Sequence, residues 1–492
     1  MMAQPAAPAP VNARRLFIGS CVALIATSTA FATVGSIMFA LKSEFVLSNA
    51  QVGWIGGAAL WGFAVSQLVF SPFCDTLGMR FLLRLAWLGH LVGTLVMLVA
   101  PGFGVLFVGA LIISMANGLV EAACNPLVAA IYPDEKTVRL NQFHVWFPGG
   151  IVLGGLAAFG LDQIGLTAWQ LKLCLILIPT VVYGVMLLGE RFPETEGVRS
   201  GVSMGEMFKA TFTTPLMLLM LGCMALTASI ELGPNRWVPA VLEAGGMAGI
   251  LVLVYINGLM AIMRYKAGAA LHRLSPTGIL ALSALLSGMG LYWMSLGGSG
   301  LSTMAAATVF AVGVCYFWPT MLGFVSERVP RSGALGLGLM GTVGMATVGL
   351  ITAPWMGGVA DRFAHDQLPA DETVAVLAEA ATTLRTEALQ ATGPEAEDLS
   401  AALAAVENVM TATAGEGSLP PVVTANALRS VISSGSGSPT VERAGALLGP
   451  AENYGGLISF RYVVPLCGVL LLVFGAMYVR ERQGGGYQVE RI

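Results

Sequence analysis

Glu121 stands in the middle of the run IISMANGLVEAACNPLVAAIY, residues 112–132, with Asn117 four residues before it and Asn125 four after. In an α-helix these positions share one face, so the run reads as an apolar helix carrying a single polar stripe. A carboxylate and two amides can accept from and donate to several hydroxyls, which suits a hydroxyl-rich ligand. An ionised acid at membrane depth costs about 2.5–3.5 kcal/mol, so Glu121 needs a cavity, a cation or a proton. Arg139, beyond the helix end, is the candidate cation for a purely structural pairing. That alternative stays open beside the cavity role.

A second constellation lies in SIELGPNRWVPAVLEAGG, residues 229–246, where Glu231 and Asn235 are four apart and Arg236 and Trp237 follow. Gly233 and Pro234 are expected to bend or unwind this helix and to free backbone groups for a cavity. Trp237 can serve as a plate for sugar C–H surfaces or as an ordinary interface anchor. His144 can form a titrating pair with Glu121, or be a hydrogen-bonded interior residue. Trp146, Asn257, Tyr316 and Trp318 are further candidates, and Pro319 in YFWPTMLG marks a bend.

The elements that must hold these residues are membrane helices. The chain is 56% hydrophobic and 11% charged with a mean hydropathy of +0.77, which excludes an ordinary soluble domain. Apolar runs of about 20 residues, enough to cross the hydrocarbon, recur at 16–41, 53–73, 81–100, 104–131, 140–162, 168–189, 215–240, 247–271, 277–297, 301–324, 333–360 and 459–479. Residues 1–13 are Pro/Ala-rich and read as a disordered start, and the first span reads as retained rather than cleaved. An all-α membrane protein of twelve transmembrane helices is expected.

Charge sets the expected orientation. Of the 25 Lys and Arg, 17 fall on the side of the N-terminus, Arg264 among them, so both termini are expected to be cytoplasmic. The charged segment 191–212 separates a bundle at 14–190 from a second at 213–360, and 458–492 supplies the last helix and tail. Residues 361–457 hold 13 Asp or Glu against four Lys or Arg and read as an acidic outer insertion. Within it two amphipathic helices are expected, one presenting Leu377, Ala381 and Leu384, the other Leu399, Leu403, Val406 and Met410, with 433–439 as a flexible link. The seven cysteines lack metal-ligand spacing, and no cofactor, metal or nucleic-acid site is indicated. No enzyme motif stands out, and a monomer in a lipid bilayer is expected.

SPFCDTLGMR, residues 71–80, resembles the loop signature of the major facilitator superfamily, keeping Asp75, Gly78 and Arg80. GAALHRLSP, residues 268–276, sits at the equivalent place in the second half, with Gly268 and Arg273 kept and His272 where the acid would be. The resemblance implies two six-helix bundles and a cytoplasmic latch that breaks during transport. Within that superfamily, Glu121, Asn125, Pro126, Arg139, Leu140 and Asn141 match the fucose/proton symporter family, and GGVADRF at 357–363 is also similar. This implies import of a sugar by alternating access with a coupling proton. The family's first-span acid falls at Gly35, and its fifth-span Gln and Asn fall at His144 and Phe147. The coupling ion and the particular sugar therefore stay open, as do export of a drug or metabolite and ligand sensing without transport.

Overall fold

The computed structural model describes residues 11–45, 47, 49–244, 249–271, 273–298, 300–434 and 439–492. Residues 1–10, His272 and 435–438, for which a disordered start, a motif position and a flexible link are expected, lie outside them. In the first half six helices are long and apolar enough to cross a membrane: α1 Ala13–Glu44, α2 Gln51–Leu77, α3 Met79–Leu98, α4 Phe103–Ile131, α5 Lys136–Gln163 and α6 Trp169–Leu187. The second half has α7 Pro215–Pro239, a shorter apolar helix α8 Leu251–Tyr265, then α9 Pro276–Met294, α10 Gly300–Arg328 and α11 Pro330–His365. Between the halves a short helix, Met204–Thr213, begins in a capping box of Ser203 and Glu206.

Equivalent helices pack the same way in each half. Between α3 and α4, a Cβ on Gly93 would sit 2.8 Å from the Ile113 amide nitrogen. Between α9 and α10, a Cβ on Gly290 would sit 2.4 Å from that of Phe310. Helix association in lipid depends on such close approach, because hydrocarbon supplies no hydrophobic drive.

The insertion is helical, with α12 Ala370–Ala388, α13 Pro394–Glu416 and α14 Pro421–Ser433. The final helix α15, Pro439–Gln483, is 45 residues long and continues from the insertion into the membrane. Two expectations are corrected here: a third insertion helix exists, and the last span starts about a membrane thickness earlier than its apolar stretch, since 20 helical residues rise about 30 Å. The expected apolar faces do pack together, with Leu377, Leu384, Leu399, Val406, Leu428 and Leu448 in one core. Arg429 ties this core to the membrane helices, donating to Asp361 of α11 and Glu452 of α15, both at 2.6 Å.

The halves meet mainly on the side that carries the termini. Thr137 N donates to Glu327 Oε1 at 2.9 Å, Lys136 Nζ to the Ser326 carbonyl at 3.1 Å, and Asn141 Nδ2 to Thr320 Oγ1 at 3.2 Å. Small residues make the contact close. A Cβ on Gly323 would lie 2.6 Å from the Thr137 Cα, and one on Gly338 would overlap Ser71.

Candidate functional site

At the centre of the bundle a cavity of about 20 Å³ is walled by Glu121 and His144 from the first half and by Glu231, Arg264 and Trp318 from the second, with Phe63 and Phe147 above the polar groups. That is room for one water molecule. Glu121, His144, Glu231 and Arg264 are each no more than 3% exposed.

Arg264 organises the second-half side. Its Nη2 donates to Glu231 Oε1 at 2.7 Å, its Nε to the Cys315 carbonyl at 2.6 Å, and its Nη1 to the His144 carbonyl at 3.1 Å. Both carbonyls lack the usual helical donor four residues on for the same reason, although that of His144 also accepts from Phe147 N at 3.4 Å. Pro319 and Pro148 stand four residues after Cys315 and His144 and have no N–H to return to them. The helices break there: α10 divides into Gly300–Val314 and Phe317–Arg328, and α5 into Lys136–Phe143 and Trp146–Gln163. The bend expected at YFWP is present, and its freed carbonyl is used by a buried guanidinium. The bond to His144 also joins the two halves.

Glu121 is held differently. Its Oε2 accepts from Asn125 Nδ2 at 3.3 Å, and Asn125 Oδ1 accepts from His144 Nε2 at 3.0 Å, so one amide links acid and imidazole. Because that oxygen can only accept, Nε2 of His144 carries the proton. Trp318 Nε1 and the Gln67 amide are directed toward Glu121 but close no hydrogen bond of normal length, and Glu231 Oε2 is also left without a partner. Among the described residues no cation lies within ion-pair distance of Glu121. Arg139 is not its partner: it pairs with Glu135 at 3.0 Å and lies over the Tyr132 ring at 4.4 Å.

The remaining candidates divide. Asn117 leaves the stripe, since its Oδ1 accepts from His90 Nε2 at 2.8 Å, while His90 Nδ1 meets the Tyr183 hydroxyl at 3.0 Å inside the first bundle. Trp146 is 38% exposed, and its carbonyl accepts from Ser28 Oγ. Asn257 spends its amide on the Leu253 carbonyl, and Tyr316 donates to that of Met263. Asn235 Oδ1 is buried without a partner. Arg236 is exposed and Trp237 packs over Gly357, where it borders an outer pocket of about 270 Å³ with Asp361, Arg429 and Glu452. The helix is not unwound at Gly233 and Pro234, since α7 runs on through both. Gly233 is wedged against Thr352 and Met356, and this packing supports the helix where one amide is missing.

The sequence reading overlooked Arg264 and Gln67. Arg264 was counted among the charges on the termini side because it is followed by Tyr265 and Lys266, yet it folds inward and is 1% exposed. A signal was present: the uninterrupted apolar stretch before it is short for a crossing helix.

A family model described as Major Facilitator Superfamily matches residues 16–365. The chain belongs to the Major Facilitator Superfamily. It is therefore a multi-pass membrane protein of a transporter family and not an enzyme. Its relatives in this superfamily include a D-xylose-proton symporter-like protein of Arabidopsis thaliana, 29% identical over 165 residues, 32% of this chain and 32% of that protein. A D-xylose transporter of Levilactobacillus brevis is 27% identical over 162 residues, 33% of this chain and 35% of the other. The chain thus aligns with about a third of the length of these relatives. In fold it is similar to the superfamily transporter FucP in an outward conformation, with TM-score 0.58, 18% identity and coverage of 70% of this chain and 92% of that one. A bacterial homologue of the human lysosomal transporter Spinster, inward-facing, gives TM-score 0.59 at 14% identity over 96% and 99%.

The superfamily loop signature can be placed on this frame. Asp75 Oδ1 accepts from Thr195 Oγ1 at 2.7 Å, and Oδ2 faces Gly333, where a helix of the second half begins. A carboxylate near a helix N-terminus is favoured by the exposed amides there. Gly78 has φ +83°, a conformation that glycine adopts without strain. Arg80 follows it, half-buried, with an Nε that lacks a partner. In the second-half copy a Cβ on Gly268 would meet Val138 at an ordinary 3.6 Å, and Arg273 is exposed.

Proposed function

We propose that this chain is a secondary active transporter that moves a sugar or similar polyhydroxylated small molecule by rocking its two halves around the central cavity, coupled to a proton at Glu121. The observation that carries the reading is a buried carboxylate without a cation, in one cavity with a fixed Arg264–Glu231 pair from the opposite half. Carboxylate, amide, imidazole and indole groups there can bind several hydroxyls, and three of the nearby polar side chains have atoms with no partner to lose. The names of the xylose-transporting relatives point to the same substrate class.

The mechanism follows from where the halves touch. A cavity of about 20 Å³ is too small for a sugar, so ligand entry requires the halves to part. Parting on the termini side breaks the Thr137–Glu327 and Arg264–His144 bonds, and with the second it moves His144 and Asn125 relative to Arg264. Glu121 is then the group whose charge the moving wall uncovers. The bias of Lys and Arg supports cytoplasmic termini in the cytoplasmic membrane, with the insertion outside. The site is complete within one chain, which supports a monomer.

The Gly35 position supports the assignment of the proton to Glu121 rather than to the first helix. A Cβ there would meet nothing within 4 Å, and no acid of α1 lies beside the cavity. Reconstitution in liposomes with a panel of labelled pentoses and hexoses, with and without an imposed proton gradient, tests the function. Gradient-driven accumulation of at least one sugar is expected. Absence of uptake and of exchange for every sugar would overturn the reading.

A further inference from the structure

We propose that a groove between α3 and α6 binds an anionic phospholipid, with the phosphate at Arg80 and Arg84 and an acyl chain along Leu88, Val185 and Leu188. The leaflet is the cytoplasmic one in the orientation proposed above; the ligand reading plays no part.

The groove has a volume of about 390 Å³, far larger than the central cavity, and its two ends differ in chemistry. At the termini end stand Arg80 and Arg84, one turn apart on α3. Neither makes a side-chain hydrogen bond or ion pair among the described residues, and the Arg80 Nε is buried without a partner. Glu190, in the segment that follows α6, is engaged by Arg15 at 3.1 Å. Two unpaired guanidiniums at the edge of the hydrocarbon match a phosphate diester, which a guanidinium binds through paired N–H groups.

The rest of the wall is apolar, from Leu188 past the end of α6, beside the arginines, to Val185 and Leu88 further along. Leu88, Val185 and Leu188 are 50%, 62% and 71% exposed, so they face lipid rather than protein. Trp87, about 12 Å along the axis from the start of α3, lies over Gly184, whose missing Cβ admits the ring. Its Nε1 has no hydrogen-bond partner and is packed against Gly184. Charge at the headgroup level beside an apolar trough matches the two parts of one phospholipid. Arg80 belongs to the loop of Asp75 and Gly78, so a lipid held here bears on the contact between that loop and Gly333.

The test is to reconstitute the full chain in nanodiscs of phosphatidylcholine with phosphatidylglycerol and to count retained lipids by native mass spectrometry. Wild type is expected to retain phosphatidylglycerol in preference to phosphatidylcholine. Arg84→Gln should lower that preference about fivefold. Val185→Trp fills the trough without changing charge and should lower retention as well. Thermal unfolding of each variant in phosphatidylcholine alone confirms that the fold is kept. Equal retention of both lipids by wild type would overturn the proposal, and so would an effect of Arg84→Gln with none from Val185→Trp, which is diffuse surface attraction rather than a site.

Discussion

Two acids face the same small cavity, and the protein treats them in opposite ways. Glu231 is paired with Arg264 at 2.7 Å, and that guanidinium is itself pinned by two carbonyls that prolines have released. Glu121 has one amide at 3.3 Å and no cation. A buried charge paired with an oppositely charged group is expensive to disturb and serves to fix geometry, whereas a buried acid with one weak partner is free to change its charge. The second half therefore supplies the frame and the first half the variable element.

The largest effect should come from breaking the frame. Arg264→Leu leaves Glu231 uncompensated and takes a donor from the Cys315 and His144 carbonyls, and a buried pair broken on one side costs about 3–5 kcal/mol. The variant is expected to lose thermal stability in detergent and to lose uptake. Removing both charges, as in Arg264→Leu with Glu231→Leu, should recover part of the stability but not the transport. If the single variant is as stable as wild type, the frame is not structural and the contrast fails.

Asn125→Ala sharpens the other side of the contrast, because it separates Glu121 from His144 and removes the only normal hydrogen bond the acid makes. The loss of a buried hydrogen bond costs about 1–3 kcal/mol. Uptake should fall by about tenfold at saturating sugar, while unfolding temperature shifts less than in Arg264→Leu. A drop in stability equal to that of Arg264→Leu would mean that both acids belong to one structural network.

The smallest effect concerns a third acid, Glu206, outside the membrane and fully solvent-accessible. Hydrogen bonds from the Ser203 backbone and side chain, chiefly the former, hold its carboxyl below the usual carboxylate range. A depressed value means that the cap's contribution is present above the ordinary carboxylate pKa and is lost as pH falls through the lowered one. Hydrogen exchange at the start of Met204–Thr213 should therefore be faster once the pH is taken below the ordinary carboxylate range than near neutrality after correction for intrinsic rates, with Glu206→Gln flattening that dependence. Glu121, if it is the coupling group, should instead show its pH dependence in transport.

Much of the fold is legible in hydropathy alone, since apolar runs mark the crossing helices and the charged segment at 191–212 marks the break between halves. The site is legible where polar residues interrupt such runs, as at Glu121, Asn125 and Glu231. It is not legible where the decisive partner lies at the end of a run, as for Arg264, because a charge there reads equally well as a loop residue. Asn117 shows the opposite error. Its spacing places it on the polar stripe, but the nearest donor is His90 on a neighbouring helix, and spacing within one helix carries no information about that neighbour. Proline gives both outcomes: Pro319 breaks α10, while Pro234 and Pro450 are absorbed in continuous helices, and the difference lies in what packs around them.

The most direct test compares Glu121→Gln with wild type in liposomes, measuring sugar accumulation driven by a proton gradient and exchange of labelled for unlabelled sugar at equal pH. Accumulation lost with exchange retained is the predicted result, because a neutral amide still binds hydroxyls but cannot release a proton. Gradient-driven accumulation that persists in Glu121→Gln would contradict the account and move the coupling group elsewhere.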